Sequence, residues 1–251
     1  LLTSSDIEAR AGWHVNRIEQ HGRELRVTLA DAGGIYWRER VDKVVAVLHR
    51  DAPASIDRFV LVYRQNGIED TEHVIDRDAW STPINQPLPP REQREAVIAR
   101  PVRSLRPEAP LHENPRPRFE SGLGIGYQQT LGGPDAFLLY QISARERASF
   151  RIRDDTWIQG MLQLGLISNY DRFHYDAPSN LPRVRTFLRE YLTTSDFTMP
   201  NLQITHVGKL AENKFYSLYG GYLESMVAGV GAEWLYRPFA SRVAFGVDVN
   251  A

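Results

Sequence analysis

The sequence predicts an antiparallel, meander-type transmembrane β-barrel portion, preceded by a small α+β module. Three observations predict it. From Arg242 on, Val243, Phe245, Val247 and Val249 alternate strictly with Ala244, Gly246, Asp248 and Asn250, the period of two that marks a strand. One segment upstream, Val230, Ala232, Trp234 and Tyr236 oppose Gly229, Gly231, Glu233 and Arg237, and Arg-Pro-Phe-Ala-Ser joins the two as a hairpin. The polar face mixes glycine with isolated charges of both signs. An apolar belt against lipid and a wet lumen of small and charged side chains give that mixture. No run of 18 apolar residues exists, so strands rather than a helix would have to cross a membrane.

The first module spans 1–81 and reads α-β-β-α-β-β. Thr3-Ser-Ser-Asp offers N-cap chemistry for a short helix to Ala11. Trp13 to Gln20 and Glu24 to Ala30 flank His21-Gly22-Arg23 as a hairpin. Trp37, Val41, Val44, Val45 and Leu48 then lie on one stripe of a helix, which Pro53 ends. Ile56 to Arg64 and Ile68 to Asp76 are strands around Asn66-Gly67, a strong hairpin turn signal. Nine of the 15 prolines fall in 82–118. That stretch reads as an extended, semi-rigid linker with room for a short helix over Arg91–Ala99.

From Phe119 to Ala251 about eight strands follow, too few to close within this chain. Phe119, Leu123, Ile125 and Tyr127 oppose Glu120, Gly122, Gly124, Gly126 and Gln128. Ala136–Ile152, Ile158–Leu166, Arg185–Thr194, Leu202–Leu210 and Phe215–Glu224 continue the series, with a long loop over Asn169–Pro182. The chain starts at Leu1 and stops at Ala251 directly after a strand, and it reads as an internal fragment of a longer protein.

Composition removes several kinds of function. The formal net charge is −1, with acids and bases spread over both halves, so nucleic acid is not a partner. Cysteine is absent, which removes disulfides and thiolate chemistry. The seven His show no metal-ligand spacing. Gly122-Leu-Gly124-Ile-Gly126 has no helix after it and reads as one wall of a strand, not a phosphate loop. No cofactor, metal or catalytic site is expected. Glu224 and Glu233, on neighbouring strands, could approach as a glycosidase pair does, but they read better as partners for nearby arginines.

Leu181-Pro182-Arg183-Val184-Arg185, Arg189-Glu190-Tyr191-Leu192 and the run from Gly221 to Phe239 resemble the YjbH/GfcD-like outer-membrane proteins of bacterial exopolysaccharide and group 4 capsule operons. The resemblance covers essentially the whole chain. It implies a non-enzymatic outer-membrane barrel lipoprotein or porin-like protein in polysaccharide secretion, with residues 1–118 in the periplasm. The partners it implies are a polysaccharide, outer-membrane lipid and other exopolysaccharide-secretion proteins. A charge on a lipid face costs roughly 2–4 kcal/mol for Arg near the midplane. Arg183, Arg185, Arg189, Glu190, Glu224, Glu233 and Arg237, within these motifs, are therefore expected in a lumen network. Trp157, Tyr170, Phe173, Tyr175, Trp234 and Tyr236 read as an interfacial girdle or as sugar contacts. The alternatives are a periplasmic interaction module anchored by a barrel, and a soluble β-protein acting on glycans.

Overall fold

The computed structural model of the protein describes residues 2–30, 32–85, 95–106, 108–133, 135–174 and 188–251. The chain divides into two compact units, Leu1–Arg116 and Pro117–Ala251. Both are built mainly on β-sheet, with few helices.

In the first unit the elements run α1 (Leu2–Ala11), β1 (His14–His21), β2 (Glu24–Ala30), α2 (Trp37–Asp51), β3 (Arg58–Gln65), β4 (Ile68–Asp76), α3 (Arg77–Asn85), β5 (Val97–Pro101) and β6 (His112–Glu113). Spatial order in the sheet is β5-β4-β3-β2-β1-β6. The β2–β3 pair is parallel, because α2 carries the chain back before β3 begins. Val41, Val44, Val45 and Leu48 of α2 are buried with Ile7 of α1 against Trp13, Val15, Val27, Leu29, Phe59, Leu61 and Ile75. Trp37, partly buried, packs its ring 4.7 Å from Trp13 and 4.8 Å from Tyr63. Each large side chain so buried contributes roughly 1.5–3 kcal/mol. The helix α3 was not expected. Its signal is Asp76, whose Oδ1 accepts the backbone N–H of Ala79 at 3.0 Å, as a capping residue does.

The stretch expected to be a free linker, 82–118, is partly built into this unit. Val97–Pro101 is an edge strand on β4, not part of a helix, and His112–Glu113 pairs with β1 at the opposite edge. Between them, residues 102–106 and 108–111 cross the sheet on the face away from α1 and α2. The crossing is held by Val102 N–H to Asp70 O (3.1 Å), Arg17 Nη2 to Glu108 O (3.0 Å) and Leu111 N–H to Ile18 O (2.8 Å). Proline cannot donate to a central ladder, so a proline-rich chain is confined to edges or to lying over a face.

One carboxylate anchors this strap. Glu72 is fully buried and accepts from Arg26 Nη1 (3.0 Å), Arg100 Nε (2.8 Å) and Arg103 Nε (3.0 Å). Arg103 also reaches Glu24 at 2.7 Å. Burial alone would push the Glu72 carboxyl up, but the Arg100 and Arg103 hydrogen bonds and the Arg26 charge outweigh it and hold it below the usual range.

The second unit is a meander. Strands β7 (Phe119–Leu131), β8 (Leu138–Arg153), β9 (Thr156–Ser168), β10 (Phe197–Ala211), β11 (Lys214–Glu224), β12 (Val227–Tyr236) and β13 (Phe245–Asn250) lie in sequence order, each antiparallel to the next. Two-residue turns at Glu212-Asn213 and Ser225-Met226 require positive φ, which Asn213 (62°) and Met226 (74°) adopt. Among the described residues the sheet does not close into a barrel: β7 and β13 are its two free edges. The strand expected over Arg185–Thr194 is instead helix α4 (Leu188–Thr193) in its described part. Leu-Arg-Glu-Tyr-Leu lacks strict alternation and is rich in helix formers.

Two outcomes follow for the first unit. Val45→Asp places a charge in its core and is expected to abolish amide protection over 14–76 while leaving that over 119–250 unchanged, as read by hydrogen exchange. Glu72→Leu removes the nearer carboxylate of the buried Arg26, leaving Glu69 at 3.7 Å, and removes the carboxylate that Arg100 and Arg103 share. It should cost up to about 3–5 kcal/mol in chemical denaturation. Because the Glu72 value is depressed on folding, its contribution is complete above the ordinary glutamate value of about 4.3. It is lost as pH falls through the lowered folded value.

Candidate functional site

Directly opposed residues in antiparallel strands share a face, so the register sorts the side chains of the second sheet. One face carries Leu123 and Ile125 (β7), Ala144 and Phe150 (β8), Ile158 and Leu164 (β9), Leu202 and Ile204 (β10), Leu218 (β11), Val230 and Trp234 (β12), and Val247 and Val249 (β13). These large apolar side chains are exposed, Ile125 by 84% and Val230 by 65%. Charges enter this face at Glu146, between Leu123 and Leu162, and at the strand ends, with Arg153 opposite Thr156 and Lys214 opposite Tyr236.

The other face is polar across all seven strands. It carries Gln128, Gln141, Arg145, Gln159, Gln163, Gln203, Thr205, Ser217, Tyr219, Glu233 and Asp248. Its buried members are mainly hydrophilic, Gln141, Ser143, Gln163 and Thr205, with Leu139, opposite Thr130 near the start of β8, as an apolar one among them. Gln163 Nε2 donates to Gln141 Oε1 at 3.0 Å, and Arg145 Nε donates to Gln163 Oε1 at 3.0 Å. Arg145 lies across Gly126, where a Cβ would overlap its guanidinium. The ring of Tyr219 likewise lies over Gly231, and its hydroxyl donates to Asp248 Oδ1 at 2.8 Å. Glycine on this face makes room for large polar side chains from the next strand.

Helix α4, in the described part of the β9–β10 connection, lies over this polar face. Tyr191 and Leu192 of α4, with Ser195, close a cavity of about 430 Å³ against Gln128, Gln141, Arg145, Gln163 and Asn201. Glu224, Ser225 and Met226 form its remaining rim. Tyr191 Oη and Asn201 Oδ1 are buried and have no hydrogen-bond partner among the described residues.

The expected lumen residues are dispersed. Glu233 is on the polar face, opposite Ser217 and Asp248. Glu224 ends β11 and rims the cavity. The tight Ser225-Met226 turn sets the register, so Glu224 and Glu233 do not approach. Seven residues of β11 separate Glu224 from the partner of Glu233, about 23 Å. Arg237 lies beyond the end of β12 with its guanidinium 5.5 Å from the Phe215 ring centre. Arg189 lies 3.6 Å from its neighbour Glu190, on α4. Arg183, Arg185 and Tyr175 lie outside the described residues.

The aromatic set divides in the same way. Trp234 and Tyr236 stack on the apolar face, centroids 6.4 Å apart. Tyr216 is directly opposite Trp234, and Phe245 is directly opposite Tyr236, on the same face. Phe119 and Phe150 face each other at the far edge of the sheet. Trp157 is on the polar face, donating to Gln159 at 3.0 Å. Tyr170 is only 2% exposed, in the short turn Tyr170–Arg172, and cannot serve an interfacial girdle. Phe173 follows it, half-buried.

Crowding over Gly126 is open to test. Gly126→Ala should displace Arg145 from Gln163 and cost roughly 1 kcal/mol. Combined with Arg145→Ala it should cost no more than Arg145→Ala alone, a non-additivity that urea unfolding of the single and double variants measures.

The family described as exopolysaccharide biosynthesis protein YbjH matches residues 2–251. An uncharacterized lipoprotein YjbH of Escherichia coli (strain K12) is 41% identical over 136 residues, 53% of this chain and 19% of its own length. The match thus spans about a fifth of that relative. No solved structure matches the chain. A match over nearly every residue settles membership: the chain belongs to the YjbH exopolysaccharide biosynthesis family.

Proposed function

We propose that the second sheet is a section of an outer-membrane β-barrel with its polar face inward, and that the protein serves, without catalysis, in the export of an exopolysaccharide. The observation that carries this is the inversion of the sheet. A sheet in water buries its apolar face and wets its polar one. Here the buried side chains on the polar face are glutamine, serine and threonine, with a single leucine, Leu139, near one end of β8, while leucine, isoleucine and valine stand exposed across seven strands. Soluble monomers rarely expose contiguous apolar patches beyond a few hundred Å². Lipid accepts such a face, and a hydrated lumen accepts the other. Further strands would complete the barrel at the free edges of β7 and β13, which otherwise present unpaired backbone groups.

The connections support the orientation. The chain enters the sheet at Phe119, beside the two-residue turns Asp154-Asp155 and Glu212-Asn213. The longest connection, 169–196, is at the opposite end together with the two-residue turn Ser225-Met226, while the longest at the Phe119 end is the eight residues 237–244. Outer-membrane barrels keep short turns on the periplasmic side, so the first unit is assigned to the periplasm. There its strapped sheet would dock other proteins of the secretion apparatus. The name of the Escherichia coli relative supports a lipid anchor for the full-length protein. The register holds Glu224 and Glu233 too far apart for a glycosidase pair of about 5–9.5 Å, which removes that pair as a support for a catalytic reading.

The cysteine-free sequence allows a direct test. In cells, single cysteines at Leu218 and Val230 should resist a water-soluble maleimide and react with a lipid-soluble one. Cysteines at Ser217 and Gln203 should show the reverse. Equal labelling at neighbouring positions 217 and 218 would refute the membrane reading.

A further inference from the structure

We propose that the cavity between α4 and the polar face of β7–β10 is a binding subsite for a short stretch of uncharged glycan. The inference rests on the reading of this sheet as a barrel wall with its polar face inward, and it adds the chemical class that the wall receives. The cavity, about 430 Å³, falls within the range of small-molecule sites, about 300–1,000 Å³. Its wall is dominated by carboxamides: Gln128, Gln141, Gln163 and Asn201. Each carboxamide offers both donors and an acceptor. A sugar hydroxyl is likewise donor and acceptor at once, so the two sets match without a fixed polarity. Tyr191, Leu192, Met161 and Met226 supply apolar surface for the C–H face of a pyranose ring.

The charges point the same way. Arg145 and Glu224 are the ionisable groups with charge at neutral pH among the lining residues, and their signs cancel. These lining residues carry no net positive charge to attract a polyanion. The wall is also arranged before any ligand arrives, because Gln163 donates to Gln141 while accepting from Arg145. Two groups gain on occupancy. Among the described residues Tyr191 Oη and Asn201 Oδ1 have no hydrogen-bond partner, and a buried polar atom of this kind gains from a new partner. Either side chain turning toward a ligand hydroxyl recovers one.

The test uses the full-length protein in a detergent without a sugar head group. Calorimetric titration compares neutral gluco-, galacto- and manno-oligosaccharides with an oligogalacturonate of equal length. At least one neutral oligomer should bind more tightly than the uronate. Tyr191→Ala and Gln128→Leu should each weaken it about tenfold, the equivalent of one hydrogen bond or ring contact. Gln128 is exposed, so its replacement leaves the fold intact. Val230→Ala, on the other face, should leave affinity unchanged. No binding of any neutral oligomer, preference for the uronate, or unchanged affinity in both cavity variants would overturn the subsite. If the protein in those experiments still needs detergent and shows heat-modifiable gel mobility, the barrel reading survives that failure. If it lacks both properties, the barrel reading is what has failed.

Discussion

The second half of this protein depends on one constraint, the pairing register of seven consecutive antiparallel strands. Side chains alternate with a period of two, so a slip of one residue would carry every glutamine to the apolar face and every leucine to the polar one. The register is held at the turns. Asn213 and Met226 adopt positive φ in two-residue loops, each followed or preceded by one irregularity, at Lys209/Ala211 and at Tyr222/Glu224, beyond which the β10–β11 and β11–β12 pairing is continuous. Once those pairs are in place, Ile204, Leu218 and Val230 share a face, and so do Gln203, Ser217 and Glu233. The chemical separation of the two faces is a consequence of turn geometry as much as of composition.

The polar face shows why glycine is frequent there. A lumen wall must hold long polar side chains in limited space. Gly126 gives room to Arg145, and Gly231 to Tyr219. In both cases the glycine lies next to a strand that delivers a bulky polar group, so the strands remain close while their side chains cross. The result is a hydrogen-bonded surface, Arg145 to Gln163 to Gln141, arranged before any ligand meets it. Polar groups fixed in this way cost little to reorganise on binding. The turn of α4 over the same surface narrows it where the carboxamides are densest.

The first unit solves a different problem with an ion-pair anchor. Its proline-rich segment carries few donors, so hydrogen-bonded pairing can hold only its ends, at β5 and β6. The middle is held by side chains, through Arg103 on Glu72 and Glu24 and through Arg17 on the Glu108 carbonyl. A buried pair of this kind is weak evidence of net stability, since desolvation offsets much of the attraction. It does specify position: the strap has one place where Arg103 meets both carboxylates.

The sequence by itself determined what repeats locally. The α2 stripe, the alternating faces of β7, β12 and β13, and the Asn66-Gly67 turn follow from spacing and turn chemistry. The helix α3 and the strap did not, because a capping Asp76 and a run of prolines each suit several environments. Neither did the positions of the expected lumen charges. Glu224 and Glu233 are nine residues apart on adjacent strands, and only the register shows that the Ser225-Met226 turn places them at different depths. The cavity is the clearest case. Gln128, Gln141, Gln163, Tyr191 and Asn201 come from four strands and a helix, and no spacing in the chain joins them. Secondary structure reflects neighbours in sequence, which the sequence displays. A binding surface reflects neighbours in space, and these exist only once the strands have paired and α4 has turned over them.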